Sequence, residues 1–179
     1  MKVVKLAEYG YEESALGFSL SYNTSIERTK QILPKYAFGI PGESKFLEMI
    51  MLWIDVTSPR YWWQEADTYR VGTTKQSEST MHTLKKRPLS LENFEDEIPG
   101  FYIDFLNTMI ANKASLVSIK NCLPEGFLQR RIWMFSYRTL QNIYAQRINH
   151  RLPQWKGFLE SLLGQIDHPE FIIKREENV

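Results

Sequence analysis

The sequence predicts an α+β fold: a central twisted sheet with flanking helices, in one domain spanning residues 1–179. Three observations lead there. Three segments are rich in branched and aromatic residues at strand length, Lys2–Leu6, Leu47–Thr57 and Phe127–Phe135. Helix-period apolar spacing fills most of the chain between and after them. No internal repeat and no Gly/Ser- or Pro-rich linker divides the chain. With 179 residues and 43% hydrophobic content, a single undivided core without disulfide staples is expected.

Taken in order, Lys2–Leu6 reads as the first strand, and Ala15, Leu16 and Leu20 give Glu12–Leu20 a helical face. Ser25 is an N-cap for a second helix through Ile26, Ile32 and Leu33, closed by Pro34 and by the loop holding Gly39, Pro41 and Gly42. Leu47–Thr57 reads as a central strand buried on both faces. Ser58 then caps a helix that starts at Pro59, where no amide partner is needed, and runs to about Tyr69. Val71–Thr83 is polar and rich in Thr and Ser, which marks an extended segment and a candidate ligand loop.

Residues 85–100 carry a basic run, KKRP, and then an acidic one, ENFEDEIPG, the composition of a solvated connection. Phe101–Ala111 and Ser115–Cys122 follow as short helices, stopped by Pro124. Phe127–Phe135 alternates as a strand with Phe127, Trp133 and Phe135 on one face. Ser136 caps a helix to about Asn149 that turns Leu140, Ile143 and Tyr144 inward. Pro153 opens the last helix, whose Trp155, Phe158, Leu159, Leu162, Leu163 and Ile166 follow helical spacing closely.

Composition removes several functions. Lys+Arg 22 against Asp+Glu 21 leaves a net charge of +1, so general coating of nucleic acid is not expected. The longest apolar run, Met49–Ile54, is far below the roughly 20 residues of a membrane-spanning helix. The N-terminus lacks a secretory pattern and Cys122 has no disulfide partner, so a cytoplasmic protein is expected. Neither a dinucleotide fingerprint nor a P-loop occurs. His82, His150 and His168 lack metal-site spacing, so no metal is expected, and Cys122, beside Leu123 and Pro124, reads as an inert buried thiol.

The informative feature is a charge asymmetry. Between Glu125 and Glu160 there is no acidic residue, while Arg130, Arg131, Arg138, Arg147, Arg151 and Lys156 supply positive charge. Such a tract suits an anion, because guanidinium groups bind phosphate and carbonyl oxygens through a planar fork of donors. The competing reading is a set of surface arginines lying beside aromatic residues. On a helix, Arg138 and Asn142 lie roughly 40° apart and Arg147 about 140° from Asn142. Either two ligands meet around that helix or one side chain reaches a neighbouring subunit.

The stretch PRYWWQEADTYRVGTTKQSEST, Pro59–Thr80, resembles the signature region of the flavin-dependent thymidylate synthases, the ThyX type. There a helix ends in Arg-His-Arg, and an extended loop follows with an Asn-Glu pair and a Ser-x-Arg-Tyr ending. A second block, Cys122–Trp155, is similar to the family's C-terminal half in the spacing of Leu123, Pro124, Arg138, Asn142 and Arg147, with one residue inserted before Gln154.

The resemblance implies a ThyX-like fold and reductive one-carbon transfer to C5 of dUMP. FAD would be the cofactor, methylenetetrahydrofolate and NADPH the co-substrates, and a homotetramer the assembly. It places Arg70, Ser136, Arg138 and Asn142 at the flavin, and Glu65, Glu78, Lys120 and Arg147 at the substrate. No side-chain nucleophile is implied, and no catalytic residue is assigned.

The departures are specific. Thr68 and Tyr69 replace the Arg and His of the signature, Lys75 and Gln76 its Asn-Glu pair, and Thr80 and Met81 its Arg-Tyr. Glu78 falls on its serine, between Ser77 and Ser79. Glu65 stands for a glutamine at the substrate, and Glu43 for a histidine near the flavin. A missing arginine clamp forfeits charge-assisted hydrogen bonds of about 1.5–3 kcal/mol each. Two alternatives therefore stand beside thymidylate synthesis: action on another pyrimidine nucleotide such as dCMP, whose amino group Glu65 would accept, and a non-catalytic scaffold.

Overall fold

The structure is a computed structural model that describes residues 1–174. Its elements run β1 (Lys2–Tyr9), α1 (Tyr11–Tyr22), α2 (Ile26–Tyr36), β2 (Met51–Pro59), α3 (Arg60–Ala66), β3 (Thr73–Ser77) and α4 (Thr80–Thr83). Then follow α5 (Gly100–Ala111), α6 (Leu116–Asn121), β4 (Leu128–Ser136), α7 (Tyr137–Arg147) and α8 (Pro153–Leu163). The strands form one antiparallel sheet in the order β1-β2-β4-β3, so the strand predicted to be central is central. No described helix is long and apolar enough to cross a membrane.

The sheet is buried on one face only. Leu52, Ile54 and Val56 of β2 and Trp133 and Phe135 of β4 are fully or almost fully buried and share a core with Trp62 and Trp63 of α3, Ile143 of α7 and Trp155 and Phe158 of α8. Met51, Trp53, Asp55 and Thr57 alternate with them and stay half-buried, which corrects the expectation of burial on both faces. The predicted start at Leu47 also moves: 44–48 is a 3-10 turn that buries Phe46 and Leu47 in the same core. A run of apolar residues does not distinguish a buried turn from a buried strand.

Ser25 and Ser136 cap as read, their hydroxyls accepting the backbone N–H three residues on, and Ser115, read as the first residue of its helix, caps α6 in the same way. Ser58 does not. Pro59 holds the N-cap position of α3, and the backbone N–H groups of Arg60 and Tyr61 donate to the carbonyls of Phe127 and Glu125 at 3.1 and 3.3 Å. A distant loop supplies the cap, and the Ser58 hydroxyl is buried without a partner. α2 also passes Pro34 and ends at Tyr36, since a proline in the last turn removes only one helical hydrogen bond. The helices predicted to reach Tyr69 and Asn149 end at Ala66 and Arg147.

The expected single core is two clusters. The second holds Leu84, Leu89, Phe94, Leu106, Ile119 and Phe127 and joins α4, α5, α6 and the 85–100 connection. That connection is therefore not purely solvated: Leu89 and Phe94 are buried, and Asn107 brackets Leu89 by pairing with both its N–H and its carbonyl. Phe127 precedes β4 and bridges to Phe94. Cys122 is half-buried beside this cluster.

Candidate functional site

β4 ends where α7 begins, and the turn after α3 folds back over that junction. A cleft of about 660 Å³ results, bounded by the 68–73 turn, Met51 and Met134 of the sheet, and one face of α7. Arg70, Ser136, Arg138 and Asn142, the four positions read as flavin contacts, all line it. Thr139 and Gln146 line it too. Sequence reading missed both, although their spacing from Asn142 puts them on the same helical face.

The four are not equally available. Ser136 is buried, and its hydroxyl accepts the Thr139 N–H at 3.3 Å as the cap of α7. Arg138 donates to Gln141 Oε1 at 2.7 Å and to the Ser44 carbonyl at 2.8 Å, and it also bonds the Ser44 hydroxyl, so it pins the 3-10 turn to α7. Arg70 and Asn142 are exposed, with side chains that form no hydrogen bond or ion pair among the described residues. Gly72 (φ +64°) closes the turn above Ser136 and Thr139: a Cβ there would lie 3.1 Å from Thr139 Oγ1. The cleft thus offers a free guanidinium and a free amide to a ligand, while the α7 N-terminus behind them is capped by Ser136 and by the Ile50 carbonyl.

The positions read as substrate contacts divide. Glu65 and Arg147 meet directly, Arg147 Nη1 donating to Glu65 Oε2 at 3.0 Å. The same oxygen accepts Trp155 Nε1 at 2.8 Å and faces His150 Nε2 at 3.5 Å. His150 Nδ1 accepts the Leu152 N–H, so a neutral His150 carries its proton on Nε2, toward Glu65. Arg147 also donates through Nε to the Tyr69 phenol at 2.9 Å, and Tyr69 donates to Gln146 Oε1 at 3.0 Å. The pair lies behind Tyr69, which forms part of the cleft wall.

Glu78 and Lys120 lie elsewhere. Glu78 lines a small cavity of about 60 Å³ beside Phe127, and the Lys120 ammonium approaches Met81 Sδ at 3.8 Å. Glu43 lines a separate groove of about 610 Å³ beside α1, with Phe18, Tyr22 and Phe46. The acid-free tract is less cationic in three dimensions than in sequence. Arg130 pairs with Asp55 at 2.9 Å, Arg131 with Asp67 at 2.9 Å, Arg147 with Glu65 and Lys156 with Glu160 at 3.8 Å. Carboxylates from other segments supply most of the anions the tract lacks.

Lys75, noticed in the sequence only as a replacement, proves structural to the site. It extends from β3 across the Trp133 ring, 4.6 Å from its centroid, and donates to the Tyr69 carbonyl at 3.1 Å. Burial, partly offset by Asp67 at 3.7 Å, lowers its basicity below that of an ordinary lysine, with Arg131 adding to the shift.

No protein-family model matches this chain, and no curated protein matches its sequence. Solved structures do match. Two structures of the flavin-dependent thymidylate synthase ThyX from Helicobacter pylori, each with FAD and dUMP, superpose at a TM-score of 0.81 over 97% of this chain and 98% of theirs. The sequence identities are 14% and 15%. The chain has the ThyX fold, at an identity where the likeness is one of architecture.

Proposed function

We propose that this protein binds FAD in the cleft beneath the 68–73 turn and uses it on a pyrimidine deoxynucleotide. The reaction would be thymidylate synthase-like: one-carbon transfer from methylenetetrahydrofolate to C5 of dUMP, with NADPH as reductant. The observation that carries the reading is the convergence of Arg70, Ser136, Arg138 and Asn142, 72 residues apart in sequence at their extremes (142 − 70), on one cleft large enough for a cofactor-sized ligand.

The residues fit such a group in a divided way. Arg70 and Asn142 are free to meet it, the former suited to a phosphate oxygen and the latter to a carbonyl or ring nitrogen. Ser136 and Arg138 build the wall, one capping α7 and the other fastening the 3-10 turn. FAD, when bound, supplies the redox chemistry, and the chain supplies orientation and anion stabilisation. Arg147 and Glu65 neutralise each other, so in this arrangement they contribute a fixed wall instead of a free cation. Glu65 already accepts from two donors of its own chain, Arg147 and Trp155, with His150 Nε2 a further 3.5 Å away, which weighs against the reading in which it recognises the amino group of dCMP.

A homotetramer in the cytoplasm completes the proposal. In its support, the open sheet face carries half-buried Trp53, Ile132 and Met134 and the exposed Tyr9, and Met51 and Met134 connect that face to the cleft. The test is colour and titration. Purified protein is expected to carry oxidised flavin or to take up added FAD, and then to respond to dUMP more than to dCMP. A colourless protein that binds no added FAD overturns the proposal in favour of a scaffold. A flavoprotein indifferent to both nucleotides overturns the substrate assignment.

A further inference from the structure

The turn that carries Arg70 is fixed on both sides of that residue. Before it, the Tyr69 carbonyl accepts from Lys75 Nζ, and the Tyr69 phenol lies between Arg147 and Gln146. After it, the Thr139 hydroxyl donates to the Val71 carbonyl at 3.3 Å. Between these anchors the Arg70 guanidinium has no partner among the described residues and borders the cleft.

Of the anchors, Lys75 is the one that local structure does not call for. It sits on an edge strand, where Thr74 and Gln76 beside it are exposed, yet its own side chain is only 11% exposed. Withdrawing an ammonium from water disfavours the fold unless its hydrogen bonds are replaced. Here the replacements are the Trp133 face, Asp67, and the Tyr69 carbonyl. Asp67 is itself shared with Arg131, which binds it more closely, at 2.9 Å against 3.7 Å. The directed bond of Lys75 is therefore the one to Tyr69.

We propose that Lys75 is a positioning residue for Arg70: by fixing the Tyr69 carbonyl it sets the turn so that the Arg70 guanidinium is presented to an anionic group of the ligand in the cleft. The identity of that ligand as FAD rests on the function proposed above, whereas the ordering of the turn does not. Lys75 touches no ligand in this scheme. Its contribution to ligand binding exists only while Arg70 is present, which distinguishes it from a residue that merely stabilises the fold.

The experiment uses the full chain with Lys75→Met, Arg70→Ala and the double variant, and Lys75→Gln as a second neutral form whose side chain is too short to reach Tyr69. In ligand-free protein, amide hydrogen exchange at Thr68 and Tyr69, whose N–H groups open the turn by donating to the Glu65 and Ala66 carbonyls at 3.1 and 3.3 Å, is expected to quicken about tenfold in both Lys75 variants and to stay unchanged in β4, the loss expected of one charge-assisted bond. FAD affinity, read by flavin fluorescence, is expected to fall about tenfold for Lys75→Met and again about tenfold for Arg70→Ala, with the double variant no weaker than Arg70→Ala alone. Unchanged exchange in the turn, or additive losses in the double variant, overturns the proposal. If the parent protein binds no FAD, the flavin reading falls and the exchange result alone decides whether Lys75 orders the turn.

Discussion

Replacing Glu65 tests the Arg147 pair and the wall behind the cleft, because one carboxylate oxygen serves Trp155 at 2.8 Å and Arg147 at 3.0 Å. Trp155 is fully buried, so its indole N–H has no solvent to fall back on. In Glu65→Gln an amide oxygen can still accept from Trp155, and the loss is the charge opposite Arg147, about 1 kcal/mol for a pair that keeps some solvent contact. In Glu65→Ala the indole N–H is orphaned, at about 1–3 kcal/mol, and Arg147 loses its counter-ion as well, so the total is about 3 kcal/mol. For a chain of this size each kcal/mol lowers Tm by about 2–4 °C, which gives about 2–4 °C for glutamine and about 6–12 °C for alanine. Thermal unfolding followed by far-UV circular dichroism and tryptophan fluorescence measures both. Equal losses for the two variants, or a loss below about 1 kcal/mol for alanine, would refute the assignment of Glu65 as the acceptor for Trp155.

Other perturbations follow from single observations. Gly72→Ala places a Cβ at φ +64° and 3.1 Å from Thr139 Oγ1, so urea unfolding should show a loss of about 1–2 kcal/mol, and a neutral result would mean the turn is not left-handed. Leu106→Ala empties a fully buried site in the second cluster and is expected to lower stability by about 2–5 kcal/mol in the same measurement; a loss under about 1 kcal/mol would deny that cluster a packed interior. Lys75 has a folded-state pKa lowered from 10.5, chiefly by burial, so just below 10.5 the unfolded chain holds more protons than the folded one. Its contribution to stability therefore rises as pH climbs from the neutral range toward 10.5, and Lys75→Met should lose that slope. Parallel stability–pH curves for the two proteins would contradict it.

The site shows where sequence reading reached and where it stopped. α7 carried Ser136, Arg138 and Asn142 at spacings that place them along one cleft, and the resemblance supplied Arg70 to complete the set. Glu65 and Arg147 were read as separate substrate contacts because nothing local announces that they meet across 82 residues. Lys75 was invisible as a positioning group, since alternation on an edge strand says which face a residue takes but not which carbonyl lies beneath it.

What the sequence determined by itself is what acts over one turn of chain: the caps at Ser25 and Ser136, the α8 face from Trp155 to Leu162, and the strand character of β2 and β4. Tertiary structure decided the rest. It capped α3 with carbonyls from 125 and 127, split the interior into two clusters, and gave Arg130, Arg131 and Arg147 of the acid-free tract their carboxylates. The physical reason is range. Propensity, capping and periodicity are energies between near neighbours on the backbone, whereas a charge or an orphaned N–H is satisfied by whichever group the fold brings within hydrogen-bonding distance.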